Sequence, residues 1–331
     1  MIDLPTPDIT DGQPKAISLL DRSLRSNKIA HAYLFRGPHG VGKRETAIAF
    51  AAQLNCNEQE NGRACGRCPS CRKFFSDNHP DLIHIEPEGA AIKISQIREL
   101  KKTLTFPPFE ASYRVVVLTE IHTMRREAAN SMLKTLEEPP EDTILILTGD
   151  ETGGILPTIL SRCQVIPFFA LPFAQVAKTL QAETEISPEE AASLAAAAEG
   201  SIGRARILHK SGLLNLRKEI VATLLKYSPT APEAVEPILD LAEKSAALKE
   251  NLPELFDLLR LWFRDLVVTS VGGKNSLITS QDLQASIISA LKRWTVTELD
   301  QRLNHLDEAE KQLSRNCNRA LVCEVLFFAL L

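Results

Sequence analysis

The chain has 331 residues, 44% of them hydrophobic and 24% charged, with a formal net charge of -4. This exceeds what one core usually fills, so two or three domains are expected, and the acidic balance excludes overall attraction to nucleic acid. The longest apolar run, Val325 to Leu331, is far too short to span a bilayer, and Met1-Ile2-Asp3-Leu4-Pro5 lacks the basic start and apolar stretch of an export signal. A soluble, cytoplasmic chain with no membrane partner is therefore expected.

In chain order, Gly12 to Lys28 reads as a helix through Ile17, Leu20 and Leu24. Ala32-Tyr33-Leu34-Phe35 is a short apolar strand. Gly37-Pro38-His39-Gly40-Val41-Gly42-Lys43 follows, and Glu45 to Leu54 reads as the next helix. Asn55 to Lys73 interrupts the pattern with closely spaced cysteines. Strands are then expected at Asp81–Ile85, Arg114–Leu118, Thr143–Leu147 and Val165–Phe168, with helices at Ile94–Leu104 and Arg125–Glu137 between them. The near-continuous apolar strands suit a parallel sheet covered on both faces, joined by right-handed crossovers.

From Pro172 onward the strand pattern stops. Ser187-Pro188-Glu189-Glu190 is a helix start with proline at the first helical position, and Gly200 is its stop. Further helices are expected at 213–226, 234–250, 255–270, 283–293, 296–313 and 318–330, with a mobile glycine-rich loop at 272–276.

The stretch Gly37 to Lys43 fits the phosphate-binding loop G-x-x-x-x-G-K, set between a strand and a helix as that loop requires. Its glycines let backbone N–H groups surround phosphates, and the lysine reaches the outer ones. The next position normally holds a Ser or Thr hydroxyl on Mg²⁺; here it is Arg44. The strand at 114–118 leads into Thr119-Glu120, where a P-loop ATPase carries Asp-Glu. Both usual protein supports for Mg²⁺ are absent, which argues against efficient hydrolysis and leaves Glu120 as a strand-end carboxylate. Lys43, Gly37 and Gly42 still suit a phosphate, so ATP and Mg²⁺ binding stays an open question from sequence.

Of seven cysteines, Cys56, Cys65, Cys68 and Cys71 form C-x8-C-x2-C-x2-C. Four thiolates satisfy tetrahedral Zn²⁺, and with every ligand position filled the zinc would be structural. A redox C-x-x-C is the competing reading, but it lacks the thioredoxin-like strand context.

Three stretches carry a resemblance: His31 to Phe35 leading into the P-loop, Leu133-Lys134-Thr135-Leu136-Glu137-Glu138-Pro139-Pro140, and Leu156-Pro157-Thr158-Ile159-Leu160-Ser161-Arg162-Cys163. Over residues 10 to about 210 the chain resembles bacterial clamp-loader subunits of the AAA+ class, and over the rest more weakly, through Asn318-Arg319. Within that class its departures are similar to those of the delta-prime family rather than the gamma/tau motor. The motor's sensor-2 arginine would fall at Gly203, with Arg204 one position late, and Thr148-Gly149-Asp150 departs from the usual Thr-Thr.

The resemblance implies three domains: a RecA-like α/β domain at 1–168 with a zinc-binding insertion at 55–73, a helical lid at 169–210, and an all-α collar at 211–331 that oligomerises. It implies a pentameric complex with gamma/tau-like and delta-like partners. That complex loads the sliding clamp on primed DNA within the DNA polymerase III holoenzyme, a nucleotidyltransferase. It also implies that Arg162 serves as an arginine finger at a neighbour's ATP site while this chain has no ATPase activity of its own. An ATP-hydrolysing gamma/tau-like motor is the first alternative, and a regulatory AAA+ protein outside replication the second.

Overall fold

The protein is described here by a computed structural model covering residues 12–59, 63–89, 91–150, 154–273 and 278–331. The chain falls into two compact units, divided between Gln175 and Val176.

The first unit alternates helices and strands: α1 (Pro14–Arg25), β1 (Ala32–Arg36), α2 (Lys43–Leu54), α3 (Pro69–Phe75), β2 (Leu82–Ile85), α4 (Ile94–Thr103), β3 (Arg114–Leu118), α5 (Arg126–Glu137), β4 (Thr143–Gly149), α6 (Pro157–Leu160) and β5 (Gln164–Pro167). The five strands form one parallel sheet in the order β2-β3-β4-β1-β5. This is the expected doubly covered α/β architecture. Side chains alternate across the sheet, as strand geometry demands. Tyr33, Phe35, Val115, Val117, Ile144 and Ile146 join α1, α2 and α3 on one face. Leu34, Val116, Leu118, Leu145 and Leu147 join α4 and α5 on the other. Each fully buried side chain of this size contributes about 1.5–3 kcal/mol, which is why strands apolar on both faces are stable only here.

The cysteine-bearing insertion is not all loop. Its last residues open α3, which is capped by the Cys68 sulfur accepting from Cys71 N–H at 3.4 Å and starts at Pro69. Phe74 on α3 is fully buried and stacks on His79 with ring centroids 3.9 Å apart.

A buried ion pair shapes the α4–β3 connection. Arg114 donates to the carbonyls of Thr103, Phe106 and Pro107 at 2.7–3.0 Å and pairs with Asp81 at 3.2 Å. Asp81 in turn accepts the backbone N–H groups of Phe109, Glu110 and Ala111 at 2.7–2.9 Å. Burial alone would raise the Asp81 carboxyl; the three N–H donors and the guanidinium overrule it and hold it below the usual carboxylate range.

Asp81→Ala strands a buried guanidinium and three N–H groups, and is expected to lower stability by about 3–5 kcal/mol in urea unfolding at neutral pH. Because the folded-state pKa is depressed, the contribution is complete above the ordinary carboxylate pKa of about 4. It is lost as pH falls through the lower folded value. Asp81→Asn is therefore expected to flatten the acid limb of the stability curve; an unchanged limb would refute this.

The second unit is helical. It comprises most of α7 (Phe173–Glu183), then α8 (Pro188–Ala197), α9 (Ile202–Lys210), α10 (Leu213–Lys226), α11 (Val235–Ala246), α12 (Leu252–Ser270), α13 (Gln284–Leu291), α14 (Val296–Ser314) and α15 (Arg319–Leu330). The Ser187 side chain caps α8, accepting from Glu190 N–H at 3.1 Å, and the chain leaves that helix at Gly200 with φ 83°. Buried Arg217 holds Asp282 through one nitrogen at 2.8 and 2.9 Å. Arg302 lies over the Trp294 ring at 4.4 Å and donates to the carbonyls of Leu330 and Leu331, seating the end of α15. The loop expected at 272–276 lies outside the described residues beyond Gly273. Among the described residues no helix is long and apolar enough to cross a membrane.

Candidate nucleotide and metal sites

The P-loop leaves the C-terminal end of β1, which lies between β4 and β5, at the strand ends where ligands bind in open α/β folds. Gly42 sits at φ 95° and serves as the N-cap of α2, a conformation that favours glycine. Gly37 N–H donates to Gly149 O at 3.1 Å, and a Cβ at Gly37 would lie 2.2 Å from the Phe168 carbonyl oxygen. Gly37 is thus required by packing and Gly42 by loop shape. Gln13, unremarked in the sequence, braces the loop. Its buried amide donates to Val41 O and Phe169 O and accepts from Phe169 N–H.

Lys43 is 8% exposed and directed at its own chain. Its ammonium donates to the carbonyls of Gly37 and Pro38 and pairs with Asp150 Oδ1 at 3.1 Å. Asp150 follows β4 and is the acidic member of Thr148-Gly149-Asp150. An internal carboxylate thus faces the ammonium that a P-loop offers to phosphate.

Arg44 is drawn to the side of the cysteine-bearing insertion: its Nη2 pairs with Asp77 at 2.8 Å, just beyond α3, and its Nε lies 3.7 Å from Glu86. The Thr119 hydroxyl lies 3.5 Å from Ile85 O and its N–H donates there at 2.9 Å. Glu120 adopts φ 52° and donates its N–H to Thr148 Oγ1, while its carboxylate lies 3.9 Å from His39 Nδ1. The strand ends therefore bring Lys43, Asp150, Thr148, Glu120 and His39 together. The position that usually offers a hydroxyl to Mg²⁺ holds Arg44, and the one that usually offers a carboxylate holds Thr119.

Arg162 lies just past α6. It is a partly exposed side chain held by Glu137, with Nε to Oε1 at 2.9 Å, and by the Thr158 carbonyl at 3.0 Å. Glu137 and Arg162 belong to the two separate motifs read from the sequence, and the fold places them in contact. Arg204 on α9 is tied instead to Glu199, Glu254 and Asp257 at 2.8–3.5 Å, linking α9 to α12.

The sulfur atoms of Cys56, Cys65, Cys68 and Cys71 lie within 4.8 Å of one another. A tetrahedral zinc with Zn–S bonds of about 2.3 Å has sulfur–sulfur edges of about 3.8 Å, so the cluster fits that ion with little adjustment. Backbone N–H groups of Cys65, Cys68 and Cys71 approach the sulfurs of Cys56, Cys65 and Cys68 at 3.3–3.4 Å, the kind of contact that stabilises thiolates. Burial pushes the Cys71 thiol up. At Cys68 burial acts the same way, but the N–H donors outweigh it and bring that thiol down to about 7. Cys163 stands apart, packed at the edge of the α4–α5 core, its thiol raised by burial to about 12.

The family model for the DNA polymerase III delta subunit matches residues 12–172, and that for its C-terminal region matches residues 212–330. The chain is 35% identical over 247 residues to the DNA polymerase III subunit delta' of Pseudomonas aeruginosa, covering 71% of this chain and 70% of that one. It is 29% identical to the subunit delta' of Bacillus subtilis over 311 residues, 94% of each chain. The similarity to the DNA polymerase III subunit tau/gamma of Haemophilus influenzae, 36% over 196 residues, spans 58% of this chain and 28% of that protein.

Proposed function

The chain belongs to the DNA polymerase III delta' subunit family, and from that premise we propose that it is a clamp-loader subunit without ATPase activity of its own. It would join gamma/tau-like and delta-like subunits in a pentameric AAA+ complex that places the sliding clamp on primed DNA. The observation that carries this reading is the engaged Lys43. The P-loop keeps its shape, yet its lysine is held by Gly37, Pro38 and Asp150, with Arg44 and Thr119 in the two Mg²⁺-supporting positions. A phosphate would have to displace a carboxylate and would find no metal support.

In this reading Arg162 serves the ATP site of a neighbouring subunit, the four clustered cysteines hold a structural zinc, and residues 1–168, 169–210 and 211–331 act as α/β domain, lid and collar. Similarity to a tau/gamma subunit over 196 residues favours one alternative, an ATP-hydrolysing motor.

Nucleotide titration of the purified chain discriminates them. Binding that is absent, or weak and indifferent to Mg²⁺, with no turnover, is expected here. Tight Mg²⁺-dependent binding with hydrolysis would establish the motor reading instead.

A further inference from the structure

At the N-terminal ends of β1 and β3, the opposite end of the parallel sheet from the P-loop, the first unit forms a cavity of about 810 Å³. Small-molecule sites occupy about 300–1,000 Å³. The floor is apolar: Leu24, Ile29, Leu54, Ala64 and Tyr113 lie half-buried against the core. The rim is basic. Arg25 comes from the last turn of α1 and Arg63 from the cysteine-bearing insertion, and Asp21 is the one carboxylate among the described lining residues. A neighbouring concavity of about 690 Å³ shares Asp21, Arg25 and Arg63 and adds Arg22. None of the three guanidiniums is in an ion pair among the described residues. Arg22 and Arg25 offset the negative end of α1. Arg63 reaches the same rim from a different element, where no helix end calls for it. Tyr113 is set rigidly in the wall. Its N–H donates to Asn55 Oδ1 at 2.9 Å and its carbonyl accepts from Asn55 Nδ2 at 3.0 Å, so the buried Asn55 amide fixes the backbone that carries the ring.

We propose that this cavity takes a nucleotide unit, with the base on Tyr113 and the phosphate between Arg25 and Arg63. An apolar floor with an aromatic wall suits the face of a base, and guanidiniums on a concave rim suit the forked geometry of phosphate. The site uses neither Lys43 nor Mg²⁺, so it goes beyond the clamp-loader reading and does not depend on it. A free nucleotide and a single nucleic-acid strand both present this unit. The second concavity favours the strand, whose next phosphate would meet Arg22. With a chain net charge of -4, the attraction comes from this local cluster and not from the chain as a whole.

The test titrates the full-length chain, without chelator or added Mg²⁺, with thymidine monophosphate, with a short fluorescein-labelled oligothymidylate strand and with inorganic phosphate. Ultraviolet crosslinking of the strand and peptide mapping locate it. The strand is expected to bind most tightly and to crosslink at Tyr113, with inorganic phosphate at least about tenfold weaker than the monophosphate, the scale of one base stacked on an aromatic ring. Arg25→Glu with Arg63→Glu changes two exposed side chains. It should weaken strand binding at least about thirtyfold and flatten its dependence on salt, with the melting temperature as in the wild type. Tyr113→Leu keeps an apolar floor without a stacking face and should cost about tenfold. A monophosphate that binds as tightly as the strand keeps the site and makes the free nucleotide its ligand. The assignment is overturned by inorganic phosphate binding as tightly as the monophosphate, by wild-type affinity in Arg25→Glu with Arg63→Glu, by crosslinks confined to residues 37–44, or by no binding of either nucleotide probe. None of these results bears on the clamp-loader reading, which nucleotide turnover tests separately.

Discussion

Replacing Arg162 with alanine is expected to leave the chain folded and assembled while lowering ATP turnover at the neighbouring subunit's site by about a thousandfold. An arginine on the γ-phosphate in the transition state contributes roughly 10³–10⁵ in rate. The fold cost of removing it is small. Arg162 is held by Glu137 and the Thr158 carbonyl at the surface, and exposed pairs of this kind contribute about 0–1 kcal/mol. The same weakness lets the side chain leave Glu137 for a more strongly charged phosphate. Arg162→Lys keeps the charge but loses the planar fork, and is expected to rescue little. Glu137→Ala removes the internal partner and should not reduce turnover. The measurement is DNA-stimulated ATPase of the reconstituted complex, with single-turnover kinetics isolating the affected site. Unchanged turnover in Arg162→Ala would end the finger role.

The contrast between Arg162 and Lys43 shows what a sequence carries and what it does not. The P-loop and the strands were legible because their signals are local: glycine spacing, a lysine, and short runs such as Arg114-Val115-Val116-Val117-Leu118. The cysteine cluster was legible for the same reason, since its four sulfurs come from sixteen consecutive residues, 56–71. The engagement of Lys43 by Asp150 was not, because 107 positions separate them and only the pairing of β1 with β4 brings them together. Gln13 reaching Phe169 and Arg114 reaching Asp81 are hidden in the same way. Helix α3 was missed on different grounds: seven residues are too few to display a helical period, and two of them, Cys71 and Phe74, face inward for separate reasons. The absence of a hydroxyl at Arg44 was plain from the sequence, but where its guanidinium goes, to Asp77 and Glu86, required the fold.

That connection makes the cysteine cluster the other position of large expected effect. Cys71→Ser is expected to abolish zinc binding and to destabilise the first unit, not merely loosen a surface loop. Cys71 lies at the start of α3, three residues before Phe74, which fills the core beneath β1 and β3 and stacks on His79. Emptying a buried Phe site costs about 3–5 kcal/mol, and this sets the scale if α3 is released. The end of α3 also leads directly to Asp77, the partner of Arg44 at the head of α2, so its release removes a pairing beside the P-loop. Structural zinc contributes folding free energy outright, so a chelator should reproduce the effect in the wild-type chain. Purified without chelator, the wild type is expected to carry one zinc per chain, Cys71→Ser none, and Cys163→Ser, outside the cluster, one. A wild-type chain with less than one zinc, or a Cys71→Ser chain melting at the wild-type temperature, would show that packing of Phe74 alone holds α3 in place.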